Sequence, residues 1–236
     1  TLTEKQKSLV AILAKWEGEA SLKSIESTIF HKWEYVLLKN IFLDELGEAR
    51  FTQIMATHFL KRLIEPLSAN DGSIWWDNIT TDKKESRTEI VTKSFNEAFV
   101  LLEESLGDDY NTWTWNRVHT IEHPHPIGQV AALRKYFNVG PFPVNGTREV
   151  INNMSFSYAD DGFHKVSSGP STRRIIDFSD IENSMSILPT GQSGNMFSPH
   201  YSDQAQMYVN GEFRKMMMNK DEIQKNAKSV LKILPK

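Results

Sequence analysis

The chain has 236 residues, of which 39% are hydrophobic and 24% charged, and its formal net charge at pH 7 is −3. This length can bury a sizeable core, but the charge offers no basic field for a polyanion and no apolar run approaches the roughly 18 residues that span a bilayer, so nucleic acid and a membrane span are excluded. The sequence contains no cysteine, which excludes disulfides, thiolate catalysis, iron–sulfur clusters and thiolate zinc sites.

Helix breakers are distributed unevenly along the chain. Residues 1–110 hold one proline and four glycines, whereas residues 111–236 hold eight of each. This contrast predicts an α+β fold, with a helical region over residues 1–110 and a mixed strand and loop region over residues 111–236, as one structural unit. The chain starts without an initiator methionine and shows no signal-peptide pattern, so we expect it to begin inside a longer protein.

Four helices are expected in the first region, because apolar residues recur there at helical spacing. They cover residues 3–18, 21–47, 48–65 and 81–106. Thr3 and Gln6 form a capping-box pattern at the start of the first helix. Pro66 is expected to end the third helix and Gly107 the fourth.

The second region reads as short strands and irregular segments. Strands are expected over residues 148–158, 171–178 and 185–188, with a further edge strand over residues 228–234. Short helices are expected over residues 128–137 and 198–209. Two aromatic-rich loops, over residues 71–81 and 108–126, complete the expected organisation.

Three histidines lie close together in sequence, at His119, His123 and His125. The first two have the i,i+4 spacing by which a helix presents zinc ligands. Pro124 and Pro126 would break such a helix, and no glutamate stands where a general base would be required. Histidines satisfied by the backbone are therefore favoured over a metal site.

The segment from Gly191 to Gln204 raises the question of a serine nucleophile. Its start resembles the nucleophile-elbow pattern around Ser193 but lacks the final glycine. His200 and Asp203 follow closely, whereas triad members are normally far apart in sequence. A tight, backbone-bonded loop is favoured, in which Gly191 or Gly194 permits a close backbone approach.

Two further candidates are an N-terminal nucleophile and an aromatic platform. Thr1 could use its own α-amino group as a base, but it precedes a capping box and is expected to be a frayed helix start. Trp16 and Trp33 are expected in the core. The pairs Trp75–Trp76 and Trp113/Trp115 could either pack in the core or stack against a ligand, and the sequence does not decide between these alternatives.

Several motifs occur in order along the chain. In the C-terminal third they are Gly169-Pro170-Ser171-x-Arg173-x-Ile175-x-Asp177, Pro189-x-Gly191-Gln192-Ser193-Gly194 and Ser198-x-His200-Tyr201-x-Asp203-Gln204. Upstream they are Trp16-x-Gly18, Trp113-x-Trp115 with His119, and Asn145-Gly146. With these gaps the series resembles the end of the β chain of penicillin acylases (penicillin amidases), which are N-terminal-nucleophile hydrolases. Asn116 stands where that family often has glycine.

The resemblance implies a four-layer αββα fold and amide hydrolysis through an acyl-enzyme. In such enzymes a precursor cleaves itself to expose an N-terminal serine, whose hydroxyl attacks the amide carbonyl while its own amine takes the proton. A backbone N–H and an asparagine side chain stabilise the oxyanion, and an arginine supports the site. Calcium is bound by carboxylates from an earlier part of the protein.

No catalytic, cofactor-binding or metal-binding residue of the family matches a position in this chain. The resemblance therefore implies a C-terminal segment of an amidohydrolase, inactive alone, that supplies helices and edge strands to the sheet. Its implied partners are the upstream β-chain segment and the α chain, and an uncovered strand edge would favour self-association. The implied substrates are N-acylated small molecules such as β-lactams or acyl-homoserine lactones, in a periplasmic or secreted enzyme. The alternative is a stand-alone, non-enzymatic binding module whose Trp-rich loop holds a carbohydrate or a peptide.

Overall fold

The computed structural model describes residues 2–148 and 150–235, and these form two compact units. Unit 1 comprises the described residues up to Ile121 together with those of Phe142–Gly169. Unit 2 comprises Glu122–Pro141 and the described residues from Pro170 onwards. The change in composition at residue 110 therefore separates long helices from strands, whereas the two units are interleaved along the chain.

The long helices come first and the strands afterwards, as predicted, and short helices lie among the strands. The helices are α1 (Glu4–Leu13), α2 (Ile25–Met55), α3 (Phe59–Ser68), α4 (Arg87–Leu106), α5 (Trp115–Val118), α6 (Arg134–Phe137), α7 (Ala205–Asn210) and α8 (Lys220–Asn226). The strands are β1 (Thr120–His123), β2 (Val139–Pro143), β3 (Ser155–Phe156), β4 (Val166–Ser168), β5 (Arg173–Ile175), β6 (Met185–Ile187) and β7 (Arg214–Lys215). Within the described part of the chain, no helix combines the length and the apolar character needed to cross a bilayer.

The strands form three small sheets, of the orders β1-β2, β3-β4 and β5-β6-β7. The last two sheets are antiparallel, so the chain is an α+β protein, as expected. In the three-stranded sheet Ser186 lies directly between Arg174 and Arg214 on the neighbouring strands.

Local capping chemistry sets the helix ends. The capping box of Thr3 and Gln6 is confirmed at the start of α1, although the helix ends at Leu13, well before the expected stop at Gly18. A second capping box, between Ser86 and Glu89, delays the start of α4 to Arg87. The expected stop of α4 at Gly107 is confirmed, because this glycine has a φ of 92°.

The predicted boundary between the second and third helices lies at the correct residue, but it is a kink within one helix and not a gap between two. Gly47 interrupts α2 with non-helical backbone angles (φ 70°, ψ 157°), and the helix then continues to Met55. The expectation that Pro66 ends the third helix is wrong, because Pro66 lies inside α3. It occupies the last turn, where the missing N–H removes a single hydrogen bond, and the helix ends two residues later.

The core of unit 1 lies between α2 and α4. Both helices direct large apolar side chains into it, and two clusters result, one at each end of α2. Fully or nearly fully buried members include Leu9, Ile29, Leu38, Ile41, Phe42, Trp76, Ile90, Leu102, Trp113, Trp115 and Phe156. Apolar residues at helical spacing on α2 and α4 therefore face this core, whereas Phe59 of α3 is 60% exposed.

Several elements expected in the second region are shorter than predicted. The strand expected over residues 148–158 is reduced to Ser155–Phe156, since residues 150–152 bend and Asn153 forms only an isolated bridge with Thr147. The helix expected over residues 128–137 divides into a turn at Pro126–Gln129 and α6. The edge strand expected over residues 228–234 is wrong: its described residues have no regular structure, and Val230, Leu231, Ile233 and Leu234 are 75–88% exposed. Without an apolar surface to cover, alternation alone does not hold a strand.

The substitution Gly47→Ala should destabilise unit 1 by about 1–3 kcal/mol, because a side chain strains the backbone at this φ and ψ. A Cβ at Gly47 would meet no atom within 4 Å, so the cost would be conformational rather than steric. Urea unfolding of the variant measures it. Gly72→Ala is the matched control, since Gly72 has no positive φ and an added Cβ makes only an ordinary contact there; equal losses in both variants would contradict the assignment.

Candidate functional site

The most distinctive polar group in unit 1 is a buried cluster of three histidines packed around Trp115. We call His31, His119 and His164 the histidine cluster; their relative exposures are 6%, 0% and 0%. His31 lies on α2, His119 directly follows α5, and His164 lies between β3 and β4. The Trp115 ring stacks on His119, with centroids 4.5 Å apart, and lies 5.3 Å from both other imidazoles.

Hydrogen bonds to the backbone fix two members of this group. The Nε1–H of Trp115 donates to the carbonyl of Gly146 at 2.9 Å. The Nδ1–H of His119 donates to the carbonyl of His164 at 2.7 Å, and the backbone N–H of His164 donates to the carbonyl of Val118 at 2.8 Å. Since Nδ1 of His119 must carry the proton, its Nε2 is the bare nitrogen of the neutral ring.

His31 belongs to a separate hydrogen-bonded chain. Its Nε2 lies 2.9 Å from the hydroxyl of Thr147, and its Nδ1 lies 3.3 Å from Oε2 of Glu34. The same carboxylate oxygen accepts a hydrogen bond from the hydroxyl of Tyr158 and lies 3.7 Å from Nζ of Lys61. Burial opposes ionisation of Glu34, but these hydrogen bonds and charges lower its pKa overall.

Burial keeps the histidine cluster uncharged near neutral pH. Desolvation lowers the pKa of His31, despite its hydrogen bond to Glu34, and lowers the pKa of His119 to about 4. The pKa of His164 lies well below its usual range, because burial is reinforced by the other two imidazoles and by Lys32 and Lys61. Three neutral, enclosed imidazoles are positioned for packing rather than for proton transfer to a substrate.

The three histidines that are neighbours in sequence have different surroundings. His119 enters the histidine cluster, whereas Nδ1 of His125 accepts the backbone N–H of Ile127 and caps a short turn. His123 packs against the ring of Tyr208, and burial lowers its pKa. Backbone satisfaction is thus found for His119 and His125. Across residues 2–148 and 150–235 no three His, Asp or Glu side chains are grouped so that they could hold a metal ion.

The elbow-like segment of unit 2 forms a closed loop. The backbone N–H of Ser193 donates to the carbonyl of His200 at 3.0 Å, and that of Gln204 donates to Thr190 at 3.1 Å. Nδ1 of His200 does lie 2.9 Å from Oδ2 of Asp203. The hydroxyl of Ser193, however, accepts the backbone N–H of Asn195, so a serine–histidine pair is not assembled. The backbone-bonded loop expected here is observed.

The two glycines of this loop have different roles. At Gly191 an added Cβ would lie 1.9 Å from the carbonyl oxygen of His200, so the close backbone approach expected there is confirmed. At Gly194 a Cβ would meet nothing within 4 Å. The expectation of a packing role is therefore wrong for Gly194, which faces open space.

The tryptophans that the sequence left undecided lie in the core. Trp76, Trp113 and Trp115 are no more than 2% exposed, and the half-buried Trp75 packs against Phe42. A stacking platform needs exposed ring faces, so these positions do not support the alternative of a Trp-rich binding loop. Thr1, the candidate N-terminal nucleophile, lies outside the described residues.

Sequence reasoning missed two members of the histidine cluster. His31 had a detectable signal, because it lies on the buried face of α2 and precedes an acidic residue by one turn at Glu34. His164 had no signal. It lies in an irregular segment far from His119 in sequence, and only the folding of the chain brings the two residues together.

Comparisons with known proteins match most of the chain to one family of acylases. A family model described as penicillin amidase matches residues 1–225. Acyl-homoserine lactone acylase QuiP of Pseudomonas aeruginosa is 25% identical over 219 residues, covering 85% of this chain and 26% of that protein. The protein of the same name in Pseudomonas fluorescens is 29% identical over 206 residues, covering 85% of this chain and 24% of the relative.

Two further matches carry the penicillin acylase name. Penicillin acylase 2 proenzyme of a Pseudomonas species is 21% identical over 227 residues, covering 94% of this chain and 28% of that protein. A solved structure of a thermostable penicillin G acylase from Alcaligenes faecalis matches with a TM-score of 0.53 and 18% identity, covering all of this chain and 44% of that one. The chain spans about a quarter of the length of the curated relatives it matches.

Stability should fall as the pH is lowered from about 6.5 towards about 4. The unfolded chain, with an ordinary histidine pKa near 6.5, binds protons before the folded chain, in which the pKa of His119 is about 4. The stabilisation is therefore complete above pH 6.5 and is lost as the pH falls through the folded pKa. For His119 the loss approaches roughly 3 kcal/mol, and His31 and His164 act in the same direction.

Urea unfolding at a series of pH values measures this loss, and two variants separate it from the titration of carboxylates. His119→Asn keeps a side-chain donor near the carbonyl of His164 but removes the titrating ring, so the pH dependence should flatten. His200→Asn removes a side chain that is 61% exposed and should leave the dependence in place. The same pH dependence in both variants would contradict the role assigned to the histidine cluster.

The substitution Gly191→Ala should destabilise unit 2 by roughly 1–3 kcal/mol, because the added methyl group overlaps the backbone of His200. Thermal or urea unfolding measures the loss. Gly194→Ala is the control on the same loop and should change stability by less than about 0.5 kcal/mol. A larger loss at Gly194 than at Gly191 would show that the loop closes differently.

Proposed function

The chain belongs to the penicillin amidase family, and from this premise we propose that it is part of an enzyme that hydrolyses the amide bond of N-acylated small molecules. The observation that carries the proposal is the family match over residues 1–225. The relatives named acyl-homoserine lactone acylase are 25–29% identical and the penicillin acylase proenzyme is 21% identical. Acyl-homoserine lactones are therefore the first substrate class to test, and β-lactams the second.

The proposed reaction is acyl transfer through a serine ester. The hydroxyl of an N-terminal serine attacks the amide carbonyl, its own amine takes the proton, and the amine product leaves with a proton. Water then hydrolyses the ester and releases a carboxylic acid. The nucleophile, the oxyanion donors and the supporting arginine are proposed to lie in parts of the enzyme outside this chain.

For this chain we propose a scaffolding role in a four-layer αββα enzyme. The groups that could have been catalytic have structural roles. The histidine cluster is enclosed around Trp115, and the hydroxyl of Ser193 accepts a hydrogen bond from its own loop. The family implies calcium, but within the described ranges no three acidic or histidine side chains are grouped so that they could hold it. No step of the reaction is therefore assigned to a metal here.

The proposed partners are the upstream segment of the β chain and the α chain of the same precursor. Large apolar side chains support this, because Phe178, Phe197 and Leu231 are more than 80% exposed. Exposed apolar groups of this kind mark surfaces that contact another chain. In isolation they would favour self-association. A periplasmic or secreted location follows from the family resemblance and is part of the proposal.

The isolated chain should not hydrolyse a chromogenic phenylacetyl anilide or an acyl-homoserine lactone above background. One oxyanion donor alone contributes roughly 10²–10³ in rate, so a chain without nucleophile and oxyanion donors lacks the means to lower the barrier. The assay compares the chain, its Thr1→Ala variant, and the chain mixed with the upstream segment of its precursor.

Each result of this assay decides one part of the proposal. Activity that appears only on mixing supports the scaffolding role, and the ratio of kcat/KM for the two substrates identifies the preferred class. Activity of the isolated chain that Thr1→Ala abolishes would overturn the role and make Thr1 the nucleophile. Absence of activity in the mixture, with both parts folded, would contradict the amidohydrolase assignment.

A further inference from the structure

A pocket of about 440 Å³ lies in unit 2 beside the loop closed by Gly191. Its volume is in the range of small-molecule sites. Polar side chains surround it, namely Gln192, Ser193, Ser198, His200, Asp203 and Gln204 from the loop and Arg214 from β7. The scaffolding role proposed above does not use this pocket.

The hydrogen bonds around the pocket leave donors facing it. The hydroxyl of Ser193 accepts the backbone N–H of Asn195, and the hydroxyl of Ser198 accepts that of His200, both at 3.1 Å. A hydroxyl group whose oxygen already accepts a backbone N–H retains its own proton for donation. The side-chain oxygen of Gln204 likewise accepts the backbone N–H of Leu188, which leaves its amide NH₂ as a donor.

Arg214 provides the positive charge of the pocket. It lies on β7 directly opposite Ser186 of β6, so the sheet fixes the position from which its guanidinium extends. Arg214 is exposed on β7, and within the described ranges its guanidinium has no side-chain partner, whereas the neighbouring Lys215 pairs with Glu222. The single acidic residue of the lining, Asp203, has its Oδ2 bonded to Nδ1 of His200 at 2.9 Å. The pocket thus combines an available cation and several neutral donors with one carboxylate that is already engaged.

The loop is held rigidly enough to keep these donors in place. Backbone hydrogen bonds at Ser193 and Gln204 close it at both ends, and Gly191 allows its two arms to touch. Donors fixed in advance bind an anion without a large ordering cost.

We propose that this pocket binds a small carboxylate, with the guanidinium of Arg214 as its charged contact and the hydroxyls of Ser193 and Ser198 as neutral donors. A planar guanidinium pairs with a planar carboxylate through two parallel hydrogen bonds. One guanidinium matches the single charge of a carboxylate better than the higher charge of a phosphate.

The test is a titration of the isotope-labelled 236-residue chain with sodium acetate and, separately, with inorganic phosphate, followed by backbone amide chemical shifts. Acetate should shift amides of residues 190–204 and of β7 in a saturable way. Arg214→Gln should weaken acetate binding about tenfold, the effect of losing a charge-assisted hydrogen bond. Arg214→Lys, which keeps the charge but not the planar fork, should weaken it to a smaller extent.

Arg50→Gln is the matched control, because it makes the same charge change at an exposed position of α2 in unit 1. It should leave acetate binding unchanged. The proposal is overturned if Arg50→Gln weakens binding as much as Arg214→Gln, if the shifted amides lie away from both residues 190–204 and β7, or if acetate does not saturate. Tighter binding of phosphate than of acetate would overturn the assignment to a carboxylate. These readouts need no enzymatic turnover, so their failure is distinct from failure of the amidohydrolase proposal.

Discussion

The burial of the Trp115 indole is the constraint on which unit 1 depends. An indole N–H enclosed without an acceptor would cost about 1–3 kcal/mol, and the carbonyl of Gly146 removes that cost at 2.9 Å. The backbone N–H of Trp115 donates to the carbonyl of Ser24, the N-cap of α2. One residue thus ties the start of the longest helix to the segment before β3. Gly146 is suited to this position because its φ is 89° and a Cβ would lie 2.2 Å from the carbonyl oxygen of Asn152.

The histidine cluster follows from that constraint. Trp115 and Phe156 offer flat apolar faces, and an imidazole can fill the space between such faces while still bonding a backbone carbonyl, as His119 does with His164. The ring must stay neutral to be buried in this way. The neighbouring Glu34 carries the charge instead: burial opposes its ionisation, but its contacts with His31, Lys61 and the hydroxyl of Tyr158 lower its pKa overall. Polar groups here give the core specificity rather than chemistry, which agrees with the proposed scaffolding role.

The loop between Gly191 and Gln204 shows how one sequence pattern can serve two local structures. A nucleophile elbow places its serine on a strained turn between a strand and a helix, with the hydroxyl exposed. Here Ser193 instead lies in a loop whose two arms are joined by backbone hydrogen bonds. Its hydroxyl completes a turn at Asn195, and the His200–Asp203 pair lines a pocket together with Arg214. The same residue types therefore form a donor-rich pocket instead of a triad.

The sequence by itself determined the features that depend on neighbours along the chain. The capping box of Thr3 and the glycines at positions 47 and 107 marked real helix boundaries or kinks, and the ordered motifs identified the family. Only the tertiary structure decided which side chains meet across long separations. It joined His31, His119 and His164, and it buried the tryptophans that periodicity left undecided. It also left residues 228–234 without a strand. The physical reason is that helix caps and turns are satisfied within a few residues, whereas strand pairing and burial depend on surfaces that distant segments provide.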